Sequence, residues 1–342
     1  MRAPLIAAVL LALAPLPALA QAPSLEDAAR QTGFRGQVMV RCAANPPDEW
    51  SIGAREPGGK EQVSPRTLFY IGSVAKVFTS TVVLQLVSEG SLALDDTLGA
   101  RLDGVPDDKR AITIEQLLSH TGGIVANYPD PARVLSKDEM VQWTLAQPLV
   151  DSPGASWSYS NPGYALLAAI VERIEKRPFT ECVRARVFVP AGMASAAFLG
   201  EASVQQGICA TGTGPMVERF NLTGNPADLP ATWQRLGCGG VLCSAKDLMA
   251  FDRALSAGKL MPPELLKRAW TPVMNNYGLG WRIMTTPTGE VLYWSDGQFP
   301  GFNAEYFRDT TTDASFVVLS AAEDGARKMR GAVAAKAGGC GE

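Results

Sequence analysis

The chain has 342 residues, a formal net charge of −3, 19% charged and 8% aromatic residues, and no basic run. That balance provides no electrostatic footprint for nucleic acid and no polybasic patch for a membrane surface. With His120 as the single histidine, a histidine-rich metal centre is excluded as well.

The first segment holds Arg2, an apolar run from Pro4 to Leu16 and the small-x-small triplet Ala18-Leu19-Ala20. Residues 1–20 read as a cleaved signal peptide, too short and too interrupted by proline to be a membrane span. Gln21 follows where a lipid anchor would need cysteine. The remainder, 21–342, is expected to be one exported catalytic unit, soluble, periplasmic or secreted, and a monomer without stable membrane insertion. In that compartment the six cysteines (Cys42, Cys182, Cys209, Cys238, Cys243 and Cys340) favour structural disulfides over free buried thiols. Cys238 and Cys243 could close a local loop, and Cys42 with Cys340 could tie the two ends.

Strand-like runs at Gln37 to Arg41, Trp50 to Ala54 and Thr67 to Ile71 lead into an apolar-periodic helix, Val74 to Glu89. Thr113 with Gln116, and Ser136 with Glu139, read as capping boxes of two further helices. The first is stopped by Gly122-Gly123; the second ends before Pro148. Asn161, followed by Pro162, is predicted to cap an amphipathic helix reaching Arg177. A helix from Ser244 to Ala257 precedes strand-like runs at Tyr277 to Met284, Val291 to Trp294, Asn303 to Arg308 and Ser315 to Ser320. Turn-rich spacers between these runs predict antiparallel hairpins, and a helix over about Gly325 to Lys336 closes the chain. The expected fold class is therefore α/β (α+β): an antiparallel sheet flanked by helices and built from both ends, about 21–92 and 236–342. An all-helical lobe is inserted over about 93–235.

Within Ile71-Gly72-Ser73-Val74-Ala75-Lys76, a serine and a lysine stand three residues apart at a helix start, where they share one face. A hydroxyl needs a base to become nucleophilic, and a lysine serves only when its pKa is lowered by burial or nearby positive charge. Taken alone, the pair reads equally as a capping serine beside a solvated lysine. Ser256 and Lys259 repeat the spacing at a helix end, where the dipole opposes an alkoxide; Ser73 sits at the favourable end. The chain's only Tyr-x-Asn, Tyr159-Ser160-Asn161, adds a phenol able to relay a proton and an amide able to orient a lysine. The plainer reading is a core tyrosine and a capping asparagine.

Together, Ser-x-x-Lys and the later Tyr-x-Asn resemble the serine β-lactamase and penicillin-binding-protein superfamily, most closely its class C-type branch. Supporting stretches are similar to that branch in the same order: Gln116 to Gly123, Gly154 to Tyr164, Gly239 to Leu248 and Tyr277 to Trp281. The resemblance implies a β-lactamase-like fold, with Ser73 as acylated nucleophile and Lys76 and Tyr159 sharing proton transfer. It implies Asn161 as the residue that positions Lys76 and substrate. The third motif of that family, Lys-Thr-Gly or His-x-Gly, matches best at Ser295-Asp296-Gly297, with the Gln298 N–H as an oxyanion-hole donor beside that of Ser73. Ser295 stands where a cation is expected, which shifts weight from β-lactamase or carboxypeptidase activity toward ester or amide hydrolysis. Arg308 is the candidate replacement charge, and Ser295 a possible hydrogen-bonding partner of substrate. His120 reads as a structural residue and not as a triad base. The implied activity is an exported serine hydrolase acting on esters, D-amino-acid peptides or amides, or β-lactams, with no metal or organic cofactor. A class C-type β-lactamase proper and an inert module that binds cell-wall peptides are the alternatives.

Overall fold

A computed structural model of the protein describes residues 23–338 except 44, 131–132, 202–203, 205–207 and 287–288. The segment read as a signal peptide lies outside the described residues, as does Cys340.

Nine strands are described: β1 (Gly36–Cys42), β2 (Asp48–Ile52), β3 (Phe69–Tyr70), β4 (Ala197–Phe198), β5 (Val241–Cys243), β6 (Arg282–Thr285), β7 (Val291–Phe299), β8 (Phe302–Asp309) and β9 (Ala314–Ser320). Six form one antiparallel sheet in the order β2-β1-β9-β8-β7-β6. The β1–β9 ladder, with Val38 opposite Val318, joins the two ends of the chain as the sequence pattern predicts. Strand alternation sends Val38 and Val40 to one face and Met39 to the other. The first face is covered by the Leu25–Thr32 and Gly325–Gly338 helices through Leu25, Met329 and Val333. The second packs on the larger core, which contains the Lys76–Ser88, Asn161–Glu175 and Ala245–Ser256 helices. The intervening chain is mainly helices and loops, and it contributes β4 to a small sheet, β3-β5-β4.

Both predicted capping boxes form, at Thr113–Gln116 and Ser136–Glu139. The 161 helix differs from expectation. Ser160 is its cap, accepting from Gly163 N at 2.9 Å, and the helix ends at Glu175 with Lys176 left-handed. Asn161 thus occupies the first helical turn with its amide free of capping duty. β7 runs five residues past Trp294, because pairing with β8 holds Ser295 to Phe299 extended although Asp296-Gly297-Gln298 has little intrinsic strand preference. Residues 277–281 form only isolated bridges, and β6 begins at Arg282.

The expectation of disulfides is corrected for four cysteines: Cys182, Cys209, Cys238 and Cys243 are buried thiols that form no disulfide. Cys238 Sγ donates to Gln234 O at 3.4 Å, while Cys243 lies in β5, paired with Phe69 of β3. Arg308 is also not the charge sought for the site. It binds Asp252 (Nη1 to Oδ1, 3.0 Å) and Asp313 (Nη2 to Oδ1, 2.6 Å). Arg41, Tyr306 and Ser315 donate to the same Asp252 carboxylate at 3.2, 2.7 and 2.9 Å. This cluster bolts the Ala245–Ser256 helix to β1, β8 and β9. Deleting its buried acceptor leaves the Tyr306 phenol without its partner and the two buried guanidiniums with Asp313 as their one carboxylate, so Asp252→Ala is expected to cost about 3–5 kcal/mol in urea unfolding. A loss below about 1 kcal/mol would mean that the cluster is solvated.

Candidate active site

β3 delivers the chain to Ile71, and a 3-10 turn, Gly72–Ala75, carries Ser73 into the Lys76–Ser88 helix. Gly72 has φ +53°, and a Cβ there would lie 2.8 Å from Gln298 N. A Cβ on Gly297 would lie 1.9 Å from Ile71 O and 3.0 Å from Ser73 N. Side chains are therefore excluded from the seam, and the Ser73 and Gln298 amides belong to adjoining backbones.

The Lys76–Ser88 helix is buried almost all round by Val77, Phe78, Val82, Val83 and their neighbours, so its first residue is buried too. Lys76 is 1% exposed, which removes the reading of a solvated lysine. Its Nζ donates to Ser73 Oγ at 3.0 Å, Asn161 Oδ1 at 2.7 Å and Cys238 O at 2.9 Å. Tyr159 OH donates to the same Ser73 Oγ at 2.7 Å. Burial pulls the Lys76 amine down to about 8. Burial pushes the Tyr159 phenol well above its usual range, outweighing the Ser73 hydrogen bond.

His120 has φ +61° and is buried. Its carbonyl accepts from Ser158 N at 2.8 Å and its Nδ1 from Ser160 N at 3.1 Å, one bond on each side of Tyr159. Its ring lies 4.4 Å from that of Tyr159. It clamps the loop that aims the phenol and makes no hydrogen bond to Ser73, as expected of a structural histidine. Burial holds its imidazole well below the ordinary pKa, hence neutral. Ser256, the control for spacing, spends its hydroxyl on Asp252 O at 2.7 Å.

Ser73, Asn161 and Gln298 line a cleft of about 540 Å³. Ser295, on the same face of β7 as Gly297, is buried and does not line it. Sequence reasoning missed the Cys238 carbonyl, since a backbone acceptor has no side-chain signature; the glycines flanking it at 237, 239 and 240 are the trace it leaves. It also missed Asn127, whose Oδ1 accepts from Asn161 Nδ2 at 2.5 Å and so turns Asn161 Oδ1 toward Lys76. Arg219 and Arg235, on the cleft wall, went unnoticed for want of a motif.

The Beta-lactamase family model matches residues 16–338. The chain belongs to the Beta-lactamase family. Among curated relatives, penicillin-binding protein 4 of Amycolatopsis lactamdurans is 30% identical over 275 residues, 74% of this chain and 70% of that one. The penicillin-binding protein structure from Bacillus halodurans superposes with a TM-score of 0.79 at 23% identity, covering 91% of this chain and 98% of that one. The D-amino acid amidase structure from Ochrobactrum anthropi SV3 does so at 0.80 and 20% identity, covering 92% and 97%. The chain is thus a β-lactamase-fold member of the serine hydrolase superfamily that includes penicillin-binding proteins. Among the described residues no helix is long and apolar enough to cross a membrane.

Because the seam between β7 and the Ser73 turn has no space, Gly297→Ala is expected to cost about 1–3 kcal/mol in urea unfolding. Hydrogen exchange of the 71–76 amides should quicken with it. Unchanged exchange and stability would show slack that the packing does not have.

Proposed function

We propose that the protein is an exported serine hydrolase that works through an acyl-Ser73 intermediate on small esters, amides or D-amino-acid peptides. The observation that carries this reading is the convergence of Lys76 Nζ and Tyr159 OH on Ser73 Oγ at 3.0 and 2.7 Å. Asn161 Oδ1 and the Cys238 carbonyl take two N–H bonds of a neutral Lys76 amine and leave its lone pair facing Ser73. In that state the serine contact reverses, and the hydroxyl donates to the amine.

Lys76 then takes the Ser73 proton as Oγ attacks the substrate carbonyl. The amides of Ser73 and Gln298 stabilise the oxyanion. Tyr159, kept a phenol by its raised pKa, gives a proton to the leaving atom and regains one from Lys76. Water attacks the acyl group by the reverse path and frees Ser73. Asn161 steadies Lys76 and offers its amide to the substrate, while Gly297 lets the β7 backbone reach the nucleophile. Ser295 supports the strand and supplies no charge, which favours ester or amide hydrolysis over vigorous β-lactamase action. The apolar start of the chain supports export.

Labelling with a fluorophosphonate and with a fluorescent penicillin, read by intact mass, tests the intermediate. An adduct is expected on the native chain and none on Ser73→Ala; an adduct that survives the substitution overturns the assignment. Substrate class is read from a panel of p-nitrophenyl acetate, D-Ala-p-nitroanilide and nitrocefin. Lys76→Ala should slow acylation ~10²–10⁴-fold. Because the neutral amine is the working form, kcat/KM should rise with pH through about 8 and then level. A profile flat from pH 6 to 9 would remove Lys76 as the base.

A further inference from the structure

Two stretches of backbone meet along one side of the cleft. Met216, Arg219 and Phe220 come from the segment 212–224, and Gln298, Phe299 and Pro300 from the end of β7 and its turn into β8. The segment leaves and returns at one point, where Gly212 N donates to Gly224 O at 2.8 Å. Its root is tied down by backbone: Thr213 N donates to Ala321 O at 3.2 Å, and Glu323 N to Thr213 O at 3.2 Å. Arg35 Nη2 braces the same root, donating to Thr211 O at 3.1 Å and Ala321 O at 2.7 Å.

Beyond the root, a carboxylate joins the two stretches. Glu323 Oε1 accepts from Met216 N at 2.8 Å and from Gly301 N at 3.2 Å. The first donor opens the Pro215–Arg219 helix, which has no side-chain cap of its own because Gly214 precedes it. The second lies in the β7–β8 turn. A Cβ on Gly214 would lie 2.6 Å from Glu323 Cγ, and one on Gly301 would lie 2.8 Å from Val217 Cγ2, so the parts meet without slack.

Resting on the acyl-serine reading above, we propose that Glu323 is a positioning residue whose one carboxylate oxygen holds the 212–224 segment on the β7–β8 turn and so fixes the cleft wall. Glu323 is not among the residues that line the cleft, and it acts through the backbone it holds. Hydrogen bonds from amides to a carboxylate are of the stronger, charge-assisted kind. Without them the short helix keeps only its root, and a bulky substrate must order the wall as it binds. That weakens binding of groups that reach the wall and leaves bond making at Ser73 alone.

The test compares the native chain with Glu323→Ala and Glu323→Gln on p-nitrophenyl acetate and p-nitrophenyl 4-phenylbutyrate. Glu323→Ala should raise KM for the phenylbutyrate ~10-fold, the loss expected for a charge-assisted hydrogen bond. Its kcat, and kcat/KM for the acetate, should stay within about twofold. Glu323→Gln keeps an acceptor oxygen at the same reach and should recover most of the KM. Hydrogen exchange at the Met216 and Gly301 amides should quicken ~10-fold in Glu323→Ala while the 71–76 amides stay as they were. Gly214→Ala, which drives a methyl group against Glu323 from the other side, is the second arm should the alanine variant fail to fold, and it should shift KM in the same direction. Equal changes for the two esters, a fall in kcat without a rise in KM, or exchange unmoved at both amides overturns the proposal. The exchange arm needs no turnover. Quickened amides without any Ser73 adduct would sink the hydrolase reading alone, and an adduct with unmoved amides would sink only the role of Glu323.

Discussion

One nitrogen atom organises this molecule. The Lys76 amine is withdrawn from water at the head of a buried helix, and no carboxylate bonds to it. Burying an ammonium without a counterion is costly, so the amine's pKa is pulled down to about 8, and its contacts are neutral acceptors. Those acceptors come from three separate parts of the chain: the Ser73 turn, the helix of Asn161 and the glycine-rich approach to β5. The helix of Asn161 and the approach to β5 must therefore be docked on the Ser73 turn before the amine has its full set of partners.

The protein handles its other deeply buried ions in the opposite way. Asp252 is fully enclosed, yet two arginines, a tyrosine and a serine meet its carboxylate, leaving that cluster electrically satisfied and inert. Lys76 is left short of compensation, so its ammonium gives up its proton more readily and the free amine becomes available as a base. The contrast separates a residue that holds a helix on a sheet from one whose environment prepares it for chemistry.

Around the amine, much of the positioning is done by backbone. The carbonyl of Cys238 orients Lys76, two glycines let β7 touch the Ser73 turn, and the amides of Ser158 and Ser160, donating to the carbonyl and Nδ1 of His120, hold the loop on both sides of Tyr159. Rigid main chain fixes the reacting side chains more narrowly than long side chains could, because little conformational entropy is lost in keeping it there. The cleft wall, by contrast, is built largely from side chains, including arginines and aromatic residues, carried by short helical turns, loops and strand ends.

Local chemistry made much of this legible from the sequence. The capping boxes, the hairpin spacers and the strands at both ends follow from short-range periodicity, whereas the grouping of Ser73 and Lys76 with Tyr159 and Asn161 is what the family resemblance implies, since spacing alone leaves a plain cap and a solvated lysine equally open. What the sequence could not decide depended on long-range contact. Asn161 reads in the sequence both as a helix cap and, by resemblance, as the partner of Lys76; Ser160 takes the capping bond, and the amide of Asn161 goes to Lys76. Ser295 to Phe299 became strand only through pairing with β8, and Arg308 looked available until Asp252 and Asp313 claimed it. Four cysteines looked ready to pair, but each is a buried thiol outside any disulfide. Residue types announce what a side chain is able to do; only the packed chain, by choosing which partners and how much water surround it, determines what it does.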